Sequence, residues 1–463
     1  MKTPLLLLAL LCLFSNQIQA QAWQAYEPAL PEPVGVYDLR IAEGDENVAA
    51  AVAMKYAVTA NNYNWQPMDQ LTFMKTSDGG NTWQSGAIPM GVEPYASNIC
   101  PVNANILWAS GTDIDYASWV VRSTDGGQSW ERFLEDGFFR ATSYVNFVHF
   151  WDEQNGIAVG DPAPSPTDPT PFYEIYTTSN GGQNWIRVPS ANIPPQQLSE
   201  FGVAGRYFVV GDTVWFSTIN SANFEGLRLF RSADRGLHWT ASASPAVEWF
   251  SFADGLYGIG AEHVNSNAVN LRLTTDGGDS WTDLPALQMG RISSLAMVPG
   301  SRYILATMRT SNIAPPFKTI LSTDLGQSWQ EIGDGSELAC NAQFASPTVG
   351  YAGEWQPANH PTRMYKYAGS PLSGLLSGKQ LDAELTVFPN PASDFASVHV
   401  KTAQPFDFLL LLNDAQGRLV ERQVFPKTDT FSTTLDLQAL PSGLYTLTVS
   451  TREGAVVRKV LKQ

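Results

Sequence analysis

The residues of this chain with the most regular potential for chemistry are the aspartates of a repeated octapeptide. Six segments share the frame Ser/Thr, any residue, Asp or Asn, any residue, Gly, any two residues, Trp. They are TSDGGNTW (76–83), STDGGQSW (123–130), TSNGGQNW (178–185), SADRGLHW (232–239), TTDGGDSW (274–281) and STDLGQSW (322–329). A carboxylate can act as a general acid or base or bind a cation, so the frame is a candidate for function as well as structure.

Every part of the frame also has a structural use. Each copy lies between two short β-rich runs, which predicts a hairpin turn. The glycine can adopt positive φ, the Asp and Ser/Thr side chains can hydrogen-bond turn amides, and the tryptophan can pack between neighbouring sheets. We therefore predict structural roles for Asp78, Trp83, Asp125, Trp130, Asn180, Trp185, Asp234, Trp239, Asp276, Trp281, Asp324 and Trp329.

The spacing of the repeat predicts the architecture. The tryptophans are 47, 55, 54, 42 and 48 residues apart, which is typical of a β-propeller. Seven inner hairpins, such as those at 147–160, 250–260 and 344–353, accompany only six octapeptides. The segment Ala22–Tyr26 resembles the strands that follow the octapeptides, so we predict that it closes the seventh blade.

Four segments divide the chain. Residues 1–20 combine Lys2, an apolar run and Ala20, which is typical of a cleavable secretory signal peptide. Residues 21–367 form the predicted seven-bladed β-propeller, and 368–384 a linker. Residues 385–463 alternate short strands with turns and predict a small Ig-like β-sandwich, so the whole fold is all-β.

Composition excludes several classes of function. The net charge of −16 disfavours nucleic acid as a partner, and no stretch after the signal has the length of a transmembrane segment. Cys12 lies in the signal, and Cys100 and Cys340 are too few for a metal site or a disulfide framework. We favour two buried free thiols over a bridge. The five histidines show no metal-ligand spacing, so no metal and no cofactor is predicted.

The octapeptide resembles the Asp-box, or BNR repeat. This motif occurs in sialidases, sortilin-type receptors, some xyloglucan-cleaving hydrolases and photosystem II assembly/stability factor-like propellers. The full pattern, an inner hairpin ending in a sequence such as Ala-Val-Gly and then the octapeptide, looks most like the assembly/stability factor-like group. The resemblance covers about residues 21–367 and implies the fold without implying a shared catalytic centre.

The C-terminal segment resembles the sorting domain of type IX secretion in Bacteroidota. The resemblance rests on VFPNPASD (387–394), LLNDAQGRLV (411–420), LPSGLYTLTV (440–449) and the basic end RKVLK (458–462). It implies passage through the inner membrane by the signal peptide and then through the outer membrane by the type IX machinery, which would be the partner of residues 385–463. It also implies removal of the domain on export, with release or attachment at the outer-membrane surface.

Catalytic signatures are weak by comparison. Sialidases need an arginine triad, and the segment Asp38–Ala42 lacks the proline of their Arg-Ile-Pro landmark. Other glycosidases need two carboxylates across a cleft. Candidate loop acids are Asp113, Asp115, Asp161, Asp168, Glu225 and Glu262, each of which can also be a turn-capping or solvated group.

Loop position gives a second set of candidates. In a four-stranded blade the octapeptide turn joins strands three and four, so the connections between strands two and three emerge on the opposite face. These connections are rich in aromatic and polar residues, which suit sugars or peptides. The ligand-binding candidates are Tyr63, Trp65, Asp113, Asp115, Tyr116, Asp161, Phe224, His263, Arg309, Trp355 and His360. We expect non-catalytic binding of a glycan or protein. A glycoside hydrolase is the alternative, and an assembly or scaffold role is a third. The plain structural interpretation of the loops is that they cover the ring.

Overall fold

The computed structural model describes most of the chain after the predicted signal peptide. The described residues are 22–30, 32–59, 62–66, 68–115, 117–133, 139, 143–164, 170–222, 226–242, 249–265, 268–288, 290–309, 317–332, 339–354, 361–369, 371–372, 381–414, 419–451 and 454–463. The predicted signal peptide therefore lies outside the described residues.

Seven antiparallel sheets follow one another along this described part of the chain and form the blades of a ring. After β1 (Trp23–Tyr26), blade 1 contains β2 (Gly35–Ala42), β3 (Asp45–Thr59), β4 (Asn62–Gln66), β5 (Leu71–Thr76) and β6 (Gln84–Ile88). Blade 2 contains β7 (Tyr95–Pro101), β8 (Leu107–Thr112), β9 (Ser118–Ser123) and β10 (Glu131–Arg132). Blade 3 contains β11 (Val145–Phe150), β12 (Gly156–Ala163), β13 (Phe172–Thr178) and β14 (Ile186–Arg187), followed by a 3-10 turn at Ser190–Asn192.

The remaining blades repeat the same order. Blade 4 contains β15 (Glu200–Val210), β16 (Thr213–Asn220), β17 (Gly226–Ser232) and β18 (Thr240–Ser242). Blade 5 contains β19 (Trp249–Phe252), β20 (Gly258–Asn265), β21 (Ala268–Thr274) and β22 (Thr282–Asp283). Blade 6 contains β23 (Arg291–Met297), β24 (Ile304–Arg309), β25 (Phe317–Ser322) and β26 (Gln330–Ile332), and blade 7 contains β27 (Ala339–Phe344), β28 (Gly350–Glu354) and β29 (Met364–Tyr367).

The N-terminal strand completes blade 7. β1 pairs antiparallel with β29, with Trp23 opposite Tyr367 and Tyr26 opposite Met364. Trp23 is fully buried, and its ring centroid lies 6.0 Å from that of Phe344 and 5.7 Å from that of Tyr367. The predicted closure of the ring and the predicted seven-bladed fold are confirmed.

Packing between adjacent blades forms the core of the ring. Several strands of the ring, such as β11 and β12, are buried along nearly their whole length, so a blade packs against both of its neighbours. One buried cluster joins Phe147 and Ile157 of blade 3 to Tyr207 and Phe216 of blade 4. The Phe147 and Tyr207 rings stack with centroids 4.2 Å apart.

One connection predicted as a loop is partly a strand. β3 continues to Thr59 and pairs with β4, with Tyr56 opposite Trp65 and Val58 opposite Tyr63. Aromatic and β-branched residues at opposing positions favour antiparallel pairing. The candidates Tyr63 and Trp65 therefore belong to a hairpin of blade 1, and their side chains lie outside the described residues.

The C-terminal segment forms a second domain with its own core. It contains β30 (Ala383–Phe388), β31 (Phe395–Asn413), β32 (Leu419–Asp436), β33 (Gly443–Thr451) and β34 (Gly454–Lys462). The long strands β31 and β32 pair along both halves, with register shifts between Lys401 and Phe408. Their first and second halves therefore belong to two layers around a shared buried cluster that includes Val398, Phe408 and Leu447, as expected for the predicted sandwich.

Ring closure makes a direct prediction about stability. Trp23→Ala removes the buried indole that joins the two ends of the ring, and we expect a loss of about 3–5 kcal/mol in the free energy of unfolding. Deletion of residues 22–30 should destabilise the whole ring. Urea unfolding followed by circular dichroism measures both effects.

The matched control is Gln24→Ala, an exposed position on the same strand, which should leave stability within about 0.5 kcal/mol of the wild type. A Trp23→Ala protein with wild-type stability would contradict closure by β1.

Candidate functional site

The six octapeptide turns use their polar side chains internally. In the second copy the Ser123 hydroxyl donates to Asp125 Oδ1 at 2.8 Å and accepts from the Gly127 amide at 2.7 Å. Asp125 Oδ1 also accepts from the Ser129 amide at 2.9 Å. The equivalent Ser/Thr-to-Asp/Asn bond and the i+4 amide bond recur in the other five copies.

These bonds stabilise the charged form of the carboxylates. Hydrogen bonds from the Ser129 hydroxyl and amide, and then from Ser123, hold the pKa of Asp125 well below its ordinary value. In Asp78, Asp234, Asp276 and Asp324 burial acts to raise the pKa, but the turn hydrogen bonds outweigh it and lower the pKa. A carboxylate held ionised by its own turn is poorly suited to protonate a substrate.

The glycine and tryptophan of the turn contact the neighbouring blade. Gly80 has φ +79°, and a Cβ added there would lie 2.7 Å from the Tyr351 ring of blade 7. Trp83 packs edge-on against the same Tyr351 with centroids 6.0 Å apart. The octapeptides thus link blades on one side of the ring, which we call the box face.

The opposite side, which we call the loop face, opens into a funnel. A cavity of about 580 Å³ at its mouth is lined by the ends of the inner strands of blades 1 to 4. Among its lining residues are Tyr37, Tyr95, Tyr144, Asn146 and Asp161. Aromatic rings beside an amide and a carboxyl group can contact the apolar and polar parts of a sugar or a peptide.

Asp161 is the buried carboxyl group of this mouth. The pairing of β12 with β13 shifts register between Gly160 and Pro162, and such bulges redirect a side chain. Asp161 Oδ1 accepts from Asn146 Nδ2 at 3.0 Å and from the Gly202 amide at 2.9 Å. Burial raises the pKa of Asp161 to about 6, against the lowering effect of these two hydrogen bonds.

Two other carboxylates near the mouth are held by partners. Glu200 is fully buried, and its Oε1 accepts from Arg228 Nε at 2.9 Å and from the Thr218 hydroxyl at 2.6 Å. Asp113 accepts from Trp119 Nε1 and from the Ala117 amide, each at 2.9 Å. Glu200 lines the mouth, and Asp113 directly follows Thr112, which also lines it.

Below the mouth the funnel continues into a second cavity of about 450 Å³, which shares Tyr37, Val203 and Ala204 with the first. A buried ion pair on β2 forms part of its wall, since Arg40 Nη2 lies 2.9 Å from Asp38 Oδ1. Arg40 also donates to the Tyr207 carbonyl at 3.1 Å, and its guanidinium lies 3.9 Å from the Tyr207 ring centroid. Because the charges are paired, this part of the channel is rigid and polar.

The other predicted residues are distributed around the loop face. Asp115 is exposed beside the mouth, and the Glu262 carboxylate pairs with Arg272 at 3.1 Å. His263 lies within β20, which continues to Asn265, and Arg309 ends β24, but the side chains of both lie outside the described residues. Tyr116, Asp168, Phe224, Glu225, Trp355 and His360 also lie outside the described residues.

Sequence reasoning missed the polar residues of the inner strands. Asn98 donates to the Val148 carbonyl at 2.8 Å and to the Tyr207 hydroxyl at 3.0 Å, which links three blades. Asn98, Asn146 and Glu200 interrupt otherwise apolar or mixed strands, and that interruption was the available signal. A polar residue in such a strand indicates that its side chain has a hydrogen-bond partner, but the sequence does not indicate which blade supplies that partner.

The cysteines and histidines named above are described only in part, since the side chains of His263, Cys340 and His360 lie outside the described residues. Among the described residues, no group of three or more His, Cys, Asp or Glu side chains is placed to hold a metal ion. Cys100 is a buried free thiol, and the side chain of Cys340 lies outside the described residues. Within the described ranges, no helix is long and apolar enough to cross a membrane.

The C-terminal domain has a defined family. Residues 386–463 match the family model described as a secretion system C-terminal sorting domain. The chain therefore carries a sorting domain of the type IX kind behind its propeller, and this domain marks it for secretion.

Comparisons for the propeller are more distant. The chain is 24% identical over 151 residues to the chloroplastic photosystem II stability/assembly factor HCF136 of Oryza sativa subsp. japonica. That match spans 32% of this chain and 32% of the rice protein.

Among solved structures, the YCF48 propeller described as bound to D1 peptide is 17% identical with a TM-score of 0.49, covering 75% of this chain and 96% of its own. The GH74 xyloglucanase of Xanthomonas campestris is 11% identical with a TM-score of 0.45, covering 94% and 67%. Likeness at this level assigns no ligand and no activity to this chain.

The buried carboxyl of Asp161 makes a pH-dependent prediction. Its pKa rises from 3.8 to about 6 on folding, so the protonated group stabilises the folded state below pH 4, and this contribution is lost between pH 4 and 6. Asp161→Asn keeps the acceptor oxygen without the titration. From pH 4 to pH 7 the wild type should therefore lose up to about 3 kcal/mol of unfolding free energy relative to the Asp161→Asn variant.

Urea unfolding of both proteins at the two pH values measures this shift. The exposed Asp115→Asn variant is the control and should follow the wild type. A stability difference that is the same at both pH values would show that Asp161 titrates normally.

Proposed function

We propose that this protein is a secreted or cell-surface β-propeller that binds a glycan or protein ligand, without catalysis, in the funnel of its loop face. Residues 21–367 would form the binding domain, with 368–384 as linker and 385–463 as the sorting domain. The observation that carries the proposal is the continuous funnel formed by the cavities of about 580 and 450 Å³.

The shape and lining of the funnel support binding. Its combined size is in the range of pockets that enclose a small ligand or a chain segment. Tyr95 and Tyr144 lie at the mouth, and Arg206 and Trp249 lie deeper, with the guanidinium 4.9 Å from the indole. A ligand with apolar faces and polar edges, such as a sugar chain or a peptide, can therefore contact aromatic and polar side chains at the mouth and deeper in the funnel.

The state of the carboxylates supports binding over hydrolysis. Glycoside hydrolysis needs one carboxyl group as acid and a second as base or nucleophile. Glu200 is held by Arg228 and Thr218, and Asp113 is held by Trp119. Either group would have to give up these structural bonds in order to act as the second catalytic carboxylate.

One observation favours the alternative, a glycoside hydrolase of sialidase-like or other type. Asp161 lies in the mouth, and burial raises its pKa to about 6, which is the property of a general acid. Asp161 would then protonate the leaving oxygen, with a second carboxylate on a loop of the same face.

Export supports the proposed location. The sorting domain at residues 386–463 would engage the type IX secretion machinery after residues 1–20 had directed the chain through the inner membrane. The propeller would then bind its ligand outside the cell. A binding protein displayed there needs neither a cofactor nor a nucleic-acid surface, in keeping with its net charge of −16.

Screening the full chain against glycan and peptide arrays tests the proposal, followed by titration of the best ligand. Tyr144→Ala should weaken binding about tenfold, because an aromatic contact at the mouth of the site contributes about 1–2 kcal/mol. Leu237→Ala, an exposed position on the box face, should leave binding unchanged.

The same arrays assayed for hydrolysis separate the two functions. Glycan cleavage by the wild type that is lost in Asp161→Asn would establish the hydrolase and overturn the proposal. Absence of binding to every probe, or equal loss of binding in Leu237→Ala, would also overturn it.

A further inference from the structure

A run of four leucines in the sorting domain is buried on both sides of its strand. Leu410 and Leu412 of β31 point into the core of the sandwich together with Phe408. Leu409 and Leu411 point the other way and are 2% and 5% exposed. A continuous apolar run of this kind is typical of a strand covered on both faces.

The cover on the outer face of the strand is the propeller. Leu409 and Leu411 belong to a buried cluster with Ala253, Tyr257 and Met297 of blades 5 and 6. The Tyr257 hydroxyl donates a long hydrogen bond of 3.4 Å to the Thr451 carbonyl at the end of β33. A strand and a backbone carbonyl of the sorting domain therefore both contact the ring.

The contact with blade 6 is close at one glycine. Gly300 has φ +68°, and a Cβ added there would lie 2.8 Å from Leu411 Cδ1. By contrast, Gly44 lies in the corresponding turn of blade 1, and an added Cβ there meets nothing within 4 Å. The sandwich thus occupies the blade 5 and 6 side of the box face.

The docked domain also borders the axial channel. A cavity of about 190 Å³ lies at the box-face end, where Ala42 ends β2 and Gly211 and Ala345 follow β15 and β27. Leu411 and Asn413 form part of its wall, and it shares Arg40 and Tyr207 with the central cavity. Cys100 and His149 line it from blades 2 and 3.

We propose that the box face of blades 5 and 6 is a docking surface for the chain's own sorting domain, which caps the channel at that end. Leu409 and Leu411 supply the apolar contact, and the geometry at Gly300 fixes its register. The ligand funnel then opens to solvent at the loop face while the sorting domain is docked. In any form of the protein without residues 381–463, the box-face end is uncovered and the surface around Tyr257 is exposed.

This inference is independent of the proposed ligand and is tested without one. The full chain, with Cys12 and Cys340 replaced by serine, is compared with variants made on either side of the interface. Leu411→Asp places a charge in the apolar contact, and Gly300→Val pushes against Leu411 from the propeller. The controls are Leu444→Asp, at an exposed position of the same sandwich, and Gly44→Val.

Two measurements report docking and closure. Small-angle X-ray scattering should show a larger radius of gyration for both interface variants, and alkylation of Cys100 by a small neutral reagent should be several-fold faster. Both controls should match the parent protein. Circular dichroism verifies that each variant keeps its β structure, and Gly300→Val leaves the sandwich sequence intact if Leu411→Asp fails to fold.

Folded interface variants with an unchanged radius would overturn the docking proposal. An enlarged radius with unchanged alkylation of Cys100 would overturn the capping role, since it would show that the sorting domain does not limit access to the channel.

Discussion

The antiparallel pairing of β1 with β29 is the constraint on which the rest of the structure depends. It joins the first and last strands of the ring and buries Trp23 between Phe344 and Tyr367. Because the first strand of the ring completes its last blade, strand pairing holds the two ends of the ring together. The funnel keeps its shape because these strands cannot separate.

Polar groups that face the axis then become positioning elements. Arg40 and Asp38 of β2 hydrogen-bond to Tyr207 and Ile99, and the Asn98 amide also connects inner strands of different blades. Breaking such a buried network costs several kcal/mol. The mouth combines this rigid wall with Asp161, a carboxyl group whose pKa burial raises towards neutrality. The result is a preformed recess of aromatic and polar groups, which suits selective binding.

The fold could be predicted from local patterns, because the interactions that form each turn involve residues close together in the sequence. All the residues that form the octapeptide turn lie within eight positions, so the number of blades could be predicted. The similarity of Ala22–Tyr26 to the strands that follow the octapeptide predicted the closure of the ring. The site could not be predicted to the same degree. The hydrogen-bond partners of the Asp161 carboxyl group, Asn146 and Gly202, lie 15 and 41 residues away along the chain. Arg228, the partner of Glu200, lies 28 residues away. The leucine run at 409–412 was predicted only as part of a strand of the sandwich, and its contact with Tyr257 is visible only in the packed structure.

Native-state hydrogen exchange tests the central claim, that the two ends of the chain's ring form one cooperative blade. The amides of β1 and β29 should exchange as slowly as those of β11 and β12, with a free energy of opening equal to that of global unfolding. Fast exchange confined to Trp23–Tyr26, as in a fraying terminus, while β11 and β12 remain protected, would contradict the account.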